Sequence, residues 1–402
     1  MQKLSRVVLA LRVCAAMVSF CCVASSGLAG NHIPIDEPFE KVDPATVDDS
    51  RNNYMASHVG PTKRVKDLTK GWMGKLSNYT VLGEISIPGS HNSLALDCGL
   101  ICTTQRWSLG DQLDAGVRFF DIRVERVDGV LQVRHGSSDL GVELLEVMWA
   151  FTTWLEKNPS EALIVVLQEQ EPDSDEESFA DLWKKNGLKP YEKYFVREAD
   201  LASGNRLEFP EVKLEFLSLP ERSLIKLSQV PLYKLRGKIL LWKRRISSKA
   251  GEGSPISDYG FNTKQEDATI IRWQNNYGIS AFGAGDSSSP SQKKAHISAN
   301  MAPAIAQNIT LSWQRDKGGA MTTTPLYVNF IGGSVATGNA IIGALAQDPK
   351  KFSPLHYAVT FNNYTYDLLL ELCPLERRCG VGIVYGDFLS ADLIYNIIRT
   401  NF

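Results

Sequence analysis

The chain has no surplus of charge: 43 Lys and Arg stand against 45 Asp and Glu, for a net charge of -2. A nucleic-acid footprint needs clustered Lys and Arg, so DNA and RNA are not expected partners. Beyond the first thirty residues there is no long apolar run, and a bilayer span takes about 20 such residues. No internal repeat is visible, which speaks against a solenoid or propeller. Cysteines number 7 and histidines 6. No cysteine pair has the CxxC spacing of common zinc sites. The hydrophobic share, 44%, is that of an ordinary globular protein.

What is present begins with a leader. Lys3 and Arg6 precede an apolar stretch, Val13 to Val23 carries no charge, and small residues follow around Gly27 and Ala29. This is the pattern of a signal peptide over residues 1–29. The apolar run is short for a membrane anchor, and the C-terminal end lacks the apolar tail of a lipid-anchor signal. The protein is therefore expected outside the cell. Cys14, Cys21 and Cys22 would leave with the leader. The remaining four fall into two close pairs, Cys98 with Cys102 and Cys373 with Cys379, and an even count in an oxidising compartment favours two local disulfides. A four-cysteine zinc site is the alternative. Sequons at Asn78, Asn308 and Asn363 agree with secretion.

Residues 30–75 are polar and aperiodic, and read as an extended N-terminal arm. Strand and helix then alternate from Val81. An apolar strand, Val81 to Ile87, stops at Pro88-Gly89. Ser108 caps a short helix to Asp114, and strands cover Val117–Val124 and Leu131–His135. Leu144 to Lys157 is helical, with Leu144, Met148, Phe151 and Leu155 on one face. Ala162 to Leu167 reads as a strand buried on both faces. Further strands are expected at Lys238–Lys243, Thr269–Trp273, Leu326–Phe330 and Gly382–Tyr385. Further helices are expected near Glu177–Lys185, Ser291–Gln307, Gly338–Ala346 and Leu389–Thr400. Such alternation indicates a mostly parallel sheet with helices outside.

Chemistry is expected where strands end. His91 and His135 each follow a strand and neighbour Gly or Ser, and two histidines suit a reaction that needs both a base and an acid near neutral pH. Between them, Asp121 and Arg123 share one side of a strand, with Phe120, Ile122 and Val124 on the other. A buried carboxylate and guanidinium must be paired or used, and a guanidinium can hold a phosphate through two parallel hydrogen bonds. Asp387 follows the strand ending Val384-Tyr-Gly. It can cap the last helix, or orient a histidine.

These residues carry a resemblance. Ile87-Pro-Gly-Ser-His91-Asn, Gln112-Leu-Asp-Ala-Gly-Val-Arg-Phe-Phe-Asp-Ile-Arg123, Arg134-His135-Gly and Asn158-Pro-Ser-Glu-Ala-Leu-Ile-Val-Val-Leu resemble the X domain of phosphatidylinositol-specific phospholipases C. The form is that of the small single-domain bacterial enzymes. The resemblance implies a single catalytic domain over residues 76–402, an α/β fold of the irregular TIM-type (β/α)8 class, with its site at the C-terminal ends of the strands. It implies a lyase-type phosphodiesterase yielding diacylglycerol and inositol 1,2-cyclic phosphate. His91 would be the general base, oriented by Asp387. Arg123 would stabilise phosphate charge, His135 would protonate the leaving oxygen, and Asp121 would position the cluster.

Some positions depart from the bacterial pattern. Asn92 stands where an Asp assists the acid, Gln168 where a Lys meets the inositol ring, and Asn275 near where an Asp meets ring hydroxyls. Arg244 and Tyr277 are retained. Arg123 takes the place of an acid found in calcium-dependent forms, so no metal cofactor is expected. The expected partner of this monomer is an inositol phospholipid at a membrane surface, with Trp107 one candidate for lipid contact. A catalytically weak inositol-lipid or glycan binder is the alternative. A glycerophosphodiesterase needs an acid-x-acid metal site, which Arg123 contradicts.

Overall fold

The computed structural model describes residues 40–46, 60–171, 177–197, 227–244, 246, 261–262, 271–279, 289–316, 325–335, 353–375 and 377–402. The leader over residues 1–29 and the helix expected at 338–346 lie outside the described residues.

Among the described residues twelve strands follow in chain order: β1 (Ile87–Ser90), β2 (Phe119–Val127), β3 (Val130–His135), β4 (Ser138–Glu143), β5 (Leu163–Glu169), β6 (Ile239–Arg244), β7 (Phe261–Asn262), β8 (Ile271–Gln274), β9 (Gly278–Ile279), β10 (Leu326–Phe330), β11 (Ser334–Val335) and β12 (Ile383–Gly386). Eight of them form one parallel path in the order β7-β6-β5-β2-β1-β12-β10-β8. This is the TIM-type α/β fold, with the seam between β7 and β8 unpaired among the described residues. β3 and β4 leave the path as an antiparallel extension of β2.

Strand burial follows from that layout. β5 and β10 are apolar nearly throughout because helices cover one face and the barrel interior the other. Phe119, facing inward, meets Trp242 at 5.6 Å and Tyr385 at 4.9 Å. Trp273 and Phe330 complete this aromatic floor. Phe120, facing outward, lies 4.9 Å from Phe151, and burying such a ring contributes about 2–3 kcal/mol.

Seven helices are used below: α1 (Lys63–Thr69), α2 (Leu109–Asp114), α3 (Leu144–Lys157), α4 (Phe179–Lys185), α5 (Pro290–Asp316), α6 (Pro354–Leu372) and α7 (Ala391–Arg399). α3 keeps the expected bounds. Glu146 caps it by accepting the Glu143 N–H at 2.9 Å, and the chain leaves the helix at Asn158, ahead of Pro159. α2 starts at the expected cap, Ser108, which accepts the Asp111 N–H.

Four expectations need correction. First, residues 60–75 are not an extended arm. Thr62 caps α1, and Val65, Leu68, Trp72 and Met73 are buried. Trp72 donates its indole N–H to Gly116 O at 3.0 Å. Residues 40–46 cover α7, whose Tyr395 hydroxyl donates to Glu40 O and accepts the Val42 N–H. That cover is why α7 is buried on every side rather than on one face.

Second, the strand expected at Val81–Ile87 is not there: Leu82–Glu84 is a 3-10 turn, and the first strand starts at Ile87 and runs through Pro88-Gly89 instead of stopping there. A Cβ at Gly89 would stand 2.7 Å from both Phe119 and Tyr385, so glycine lets the strand cross the aromatic floor. Third, Cys373 and Cys379 are free and buried. The Cys379 thiol donates to Leu372 O at 3.8 Å. Burial pushes the Cys373 thiol up, and its hydrogen bond to Cys379 pulls that thiol down. Cys98 and Cys102 do form the expected disulfide, which removes both from any zinc site.

Fourth, Asn308 cannot carry a glycan in the folded chain. It is 2% exposed and donates to Glu84 O at 2.9 Å. Asn363 is half-buried within α6, and Asn78 is exposed.

A buried ion pair underpins the sheet. Arg118 and Glu161 are both fully buried, with Arg118 Nε and Nη2 donating to Glu161 Oε2 at 3.0 and 2.8 Å. Glu161 Oε1 also accepts the Gly74 N–H. Breaking such a pair strands a charge in the interior.

Candidate active site

Parallel pairing of β1 with β12 sets Ser90 opposite Gly386, so the next residue of each strand, His91 and Asp387, emerges at the same level. The His91 N–H donates to Gly386 O at 3.0 Å. His91 Nδ1–H donates to Asp387 Oδ1 at 2.7 Å. A carboxylate only accepts, so the ring proton sits on Nδ1 and Nε2 carries a lone pair. That lone pair accepts from Arg123 Nη2 at 3.0 Å. Phe330 packs on the ring at 4.7 Å.

β2 supplies Asp121 and Arg123 on its inward side. Asp121 Oδ2 accepts from Arg123 Nη2 at 3.4 Å and from the Asn92 N–H at 3.3 Å. Burial raises the Asp121 carboxyl, but Arg123 and His91 outweigh it and hold the group below its ordinary value. Register places Arg123 opposite Gln168 and Gln168 opposite Arg244, so these three share one rung. Arg244 stacks on Trp273 at 5.4 Å.

His135 ends β3 and faces His91 with ring centroids 6.5 Å apart. Its Nδ1–H donates to Cys102 O at 2.8 Å, and its Nε2 accepts from Asn92 Nδ2 at 2.9 Å. Asn92 takes a left-handed backbone, φ 40°, which Asn tolerates better than most residues. Burial, reinforced by the neighbouring His91 and Arg123, draws the His135 pKa from 6.5 down to about 4.

Thus His91, Asn92, Asp121, Arg123, His135 and Asp387 converge. Gln168 and Arg244 stand beside them. Asn275 Oδ1 accepts from the Tyr385 hydroxyl at 3.3 Å. Tyr277 is 57% exposed between β8 and β9. Trp107 is half-buried against the core.

Several supporting residues were not anticipated. Gln105 Nε2 donates to His91 O at 2.8 Å and Gly386 O at 3.0 Å, tying the two key strand ends together. Thr104 donates to the His91 and Asn92 carbonyls. Asn362 donates to Asp387 O and Phe388 O. Ser93 Oγ accepts the Asp121 N–H at 3.0 Å. Lys293, fully buried on α5, reaches Asn276 O at 2.5 Å and Phe330 O at 2.6 Å. Burial draws its pKa to about 7, against the pull of Asp387. Only Ser93, beside the His91 motif, had any signal in the sequence.

Three comparisons bear on this geometry. The family model described as PI-PLC X 1 matches residues 79–210. A 1-phosphatidylinositol phosphodiesterase of Listeria monocytogenes is 26% identical over 346 residues, covering 83% of this chain and 85% of the relative. One from Staphylococcus aureus is 33% identical over 128 residues, 40% of its length. Among solved structures, phosphatidylinositol-specific phospholipase C from Listeria monocytogenes superposes with a TM-score of 0.58 at 24% identity, over 83% of this chain and 98% of that one. The Staphylococcus aureus enzyme gives 0.58 at 20% identity, over 84% and 99%. At these identities the superpositions show a shared fold.

Proposed function

For a chain that carries a PI-PLC X domain over residues 79–210, we propose a phosphatidylinositol-specific phospholipase C-type lyase. The observation that carries the reading is the pair of histidines facing each other across Arg123, one held by a carboxylate and one by a carbonyl. His91 Nε2 takes the proton of the inositol 2-hydroxyl, whose oxygen attacks the adjacent phosphorus. Arg123 passes from Nε2 to the phosphate oxygens, where charge grows. The phosphorus–oxygen bond to diacylglycerol breaks as His135 protonates the departing oxygen. The products are inositol 1,2-cyclic phosphate and diacylglycerol, and proton transfer from His91 back to His135 resets the site.

In the free protein His135 is neutral near pH 7. The anionic phosphodiester, seated between the histidines, favours its protonated form. Proton uptake on binding an unreactive inositol phosphodiester is the corresponding signature. Arg123 sits where a metal would otherwise neutralise the phosphate, so turnover without a metal is part of the proposal. Leu100 at 46% and Ile101 at 48% exposure precede Cys102, whose carbonyl accepts from His135, and these apolar side chains would face the lipid surface. The apolar leader and the Cys98–Cys102 disulfide support a secreted protein.

The test is phosphorus NMR of phosphatidylinositol vesicles incubated with the protein, with and without EDTA, beside His91→Ala. A cyclic phosphodiester resonance that survives EDTA and vanishes in the variant is expected. A signal lost with EDTA refutes the role of Arg123. No product from any inositol lipid, glycosylated ones included, would leave a binding protein on this barrel.

A further inference from the structure

The imidazole of His135 has an unusual pair of partners for a general acid. Among the described residues no carboxylate hydrogen-bonds to it. Asn92 is neutral, and its Oδ1 is buried without a partner. The Nδ1 proton goes instead to a backbone carbonyl, Cys102 O, at 2.8 Å. That carbonyl lies on a loop, so what fixes the loop decides where the proton donor points.

The base of this loop is fixed by hydrogen bonds. Thr104 and Gln105 anchor it to the His91, Asn92 and Gly386 carbonyls. The tip, Cys98-Gly99-Leu100-Ile101-Cys102, has few such anchors. Leu100 and Ile101 are exposed, and of the five residues Cys102 alone is buried. The Cys102 and Thr103 N–H groups donate to Gly99 O at 3.1 and 2.9 Å. Gly99 itself has φ +107°, open space around it and no Cβ to restrain it. Below the tip, Asp97 pairs with Arg106 at 2.8 Å and the Thr104 N–H donates to Ala95 O; across the tip the Cys98–Cys102 bond adds a covalent constraint that closes the turn. Both sulfurs and a His135 ring nitrogen lie within 4.8 Å of one another.

Resting on the lyase reading above, we infer that the Cys98–Cys102 disulfide is a positioning element for the general acid: it holds the Cys102 carbonyl where it accepts the His135 Nδ1 proton and keeps Nε2 turned toward the reacting oxygen. A fixed acceptor on Nδ1 selects one tautomer and supports the imidazolium. With the neutral Asn92 on Nε2, this backbone dipole favours the charged ring in direct contact, with the charge of Asp387 adding to it. Without the staple the turn gains conformational freedom, and the carbonyl is in place for only part of the time.

A positioning role predicts a loss that depends on the leaving group. The measurement compares two substrates: phosphatidylinositol, whose alkoxide must be protonated to leave, and an inositol phosphodiester with a nitrophenol leaving group, which departs unprotonated. In the variant carrying both Cys98→Ser and Cys102→Ser, kcat on phosphatidylinositol is expected to fall about 10- to 100-fold. KM should stay within about twofold, and kcat on the nitrophenyl substrate within about threefold. His135→Ala should show the same selectivity, and adding the cysteine changes to it should cost nothing more.

Equal losses on both substrates, losses additive with His135→Ala, or no loss at all overturn the inference. Should the double variant fail to fold, reduction of the native protein to two thiols by a dithiol provides the second arm. The same leaving-group dependence must then appear and reverse on reoxidation, and its absence overturns the inference equally. Native protein that turns over neither substrate refutes the lyase reading itself, a result distinct from any loss confined to the variant.

Discussion

Protonating His135 should cost the fold a measurable part of its stability. In the native chain its pKa is drawn from 6.5 to about 4, first by burial and then by His91 and Arg123. The unfolded chain therefore binds this proton first as pH falls. The stability concerned is full above pH 6.5 and is lost progressively towards pH 4. A gap of roughly 2.5 units at 1.36 kcal/mol each is about 3 kcal/mol in all, of which about 2 kcal/mol is lost between pH 7.5 and pH 5. The assay is urea unfolding at half-unit steps across that range, for the native protein and His135→Gln. The glutamine keeps an N–H for Cys102 O but takes up no proton. Subtraction removes the carboxylates common to both and leaves the behaviour of the coupled histidine pair. Two stability curves that run parallel from pH 7.5 to 5 would refute the argument.

Other outcomes follow from contacts described above. Asp387→Asn should lower kcat on phosphatidylinositol by about 10²- to 10⁴-fold with the fold intact, because the amide can satisfy His91 in the wrong tautomer; circular dichroism and product assay check both halves. Glu161→Gln should destabilise the protein by about 3–5 kcal/mol through the stranded Arg118 charge, read as a fall in the urea midpoint. Asn308→Ala should cost about 0.5–1.5 kcal/mol by removing its buried hydrogen bond to Glu84 O. Asn308→Gln should leave electrophoretic mobility unchanged when the chain is expressed in a glycosylating host.

A mostly parallel sheet with outer helices was readable because its strands are short apolar runs between turn residues and α3 has a clean period; the barrel class came only from the family resemblance. The candidate site residues were readable because His91, Asp121, Arg123 and His135 sit at strand ends or on one strand face, where residue type and position agree. Other features left no such trace. A carbonyl acceptor such as Cys102 O belongs to every residue type alike. Gln105 and Asn362 act through backbone groups of residues distant in sequence. The burial of α7 depends on residues 40–46, and no pattern within α7 reports what covers its outer face. Pro88-Gly89 signals a turn by composition, and only the nearness of Phe119 and Tyr385 explains the strand. The Asn308 sequon satisfies the triplet rule, but the interior it lies in is set by the fold.

The pairing of β1 between β2 and β12 also governs when the site can exist. His91 and Asp387 lie 296 residues apart, and the strand carrying the first is flanked by the strand delivering the second. Ser86, just before β1, is likewise satisfied by Asn401, which accepts its N–H at 2.7 Å. During synthesis the strand preceding His91 therefore waits, with one edge open, for nearly the whole described chain to emerge. His91 acquires its Asp387 partner at the same event that closes that edge. A chain halted before residue 383 would hold every group proposed to react but not the carboxylate that fixes the tautomer of His91, so on the proposed mechanism competence to react is coupled to completion of the sheet.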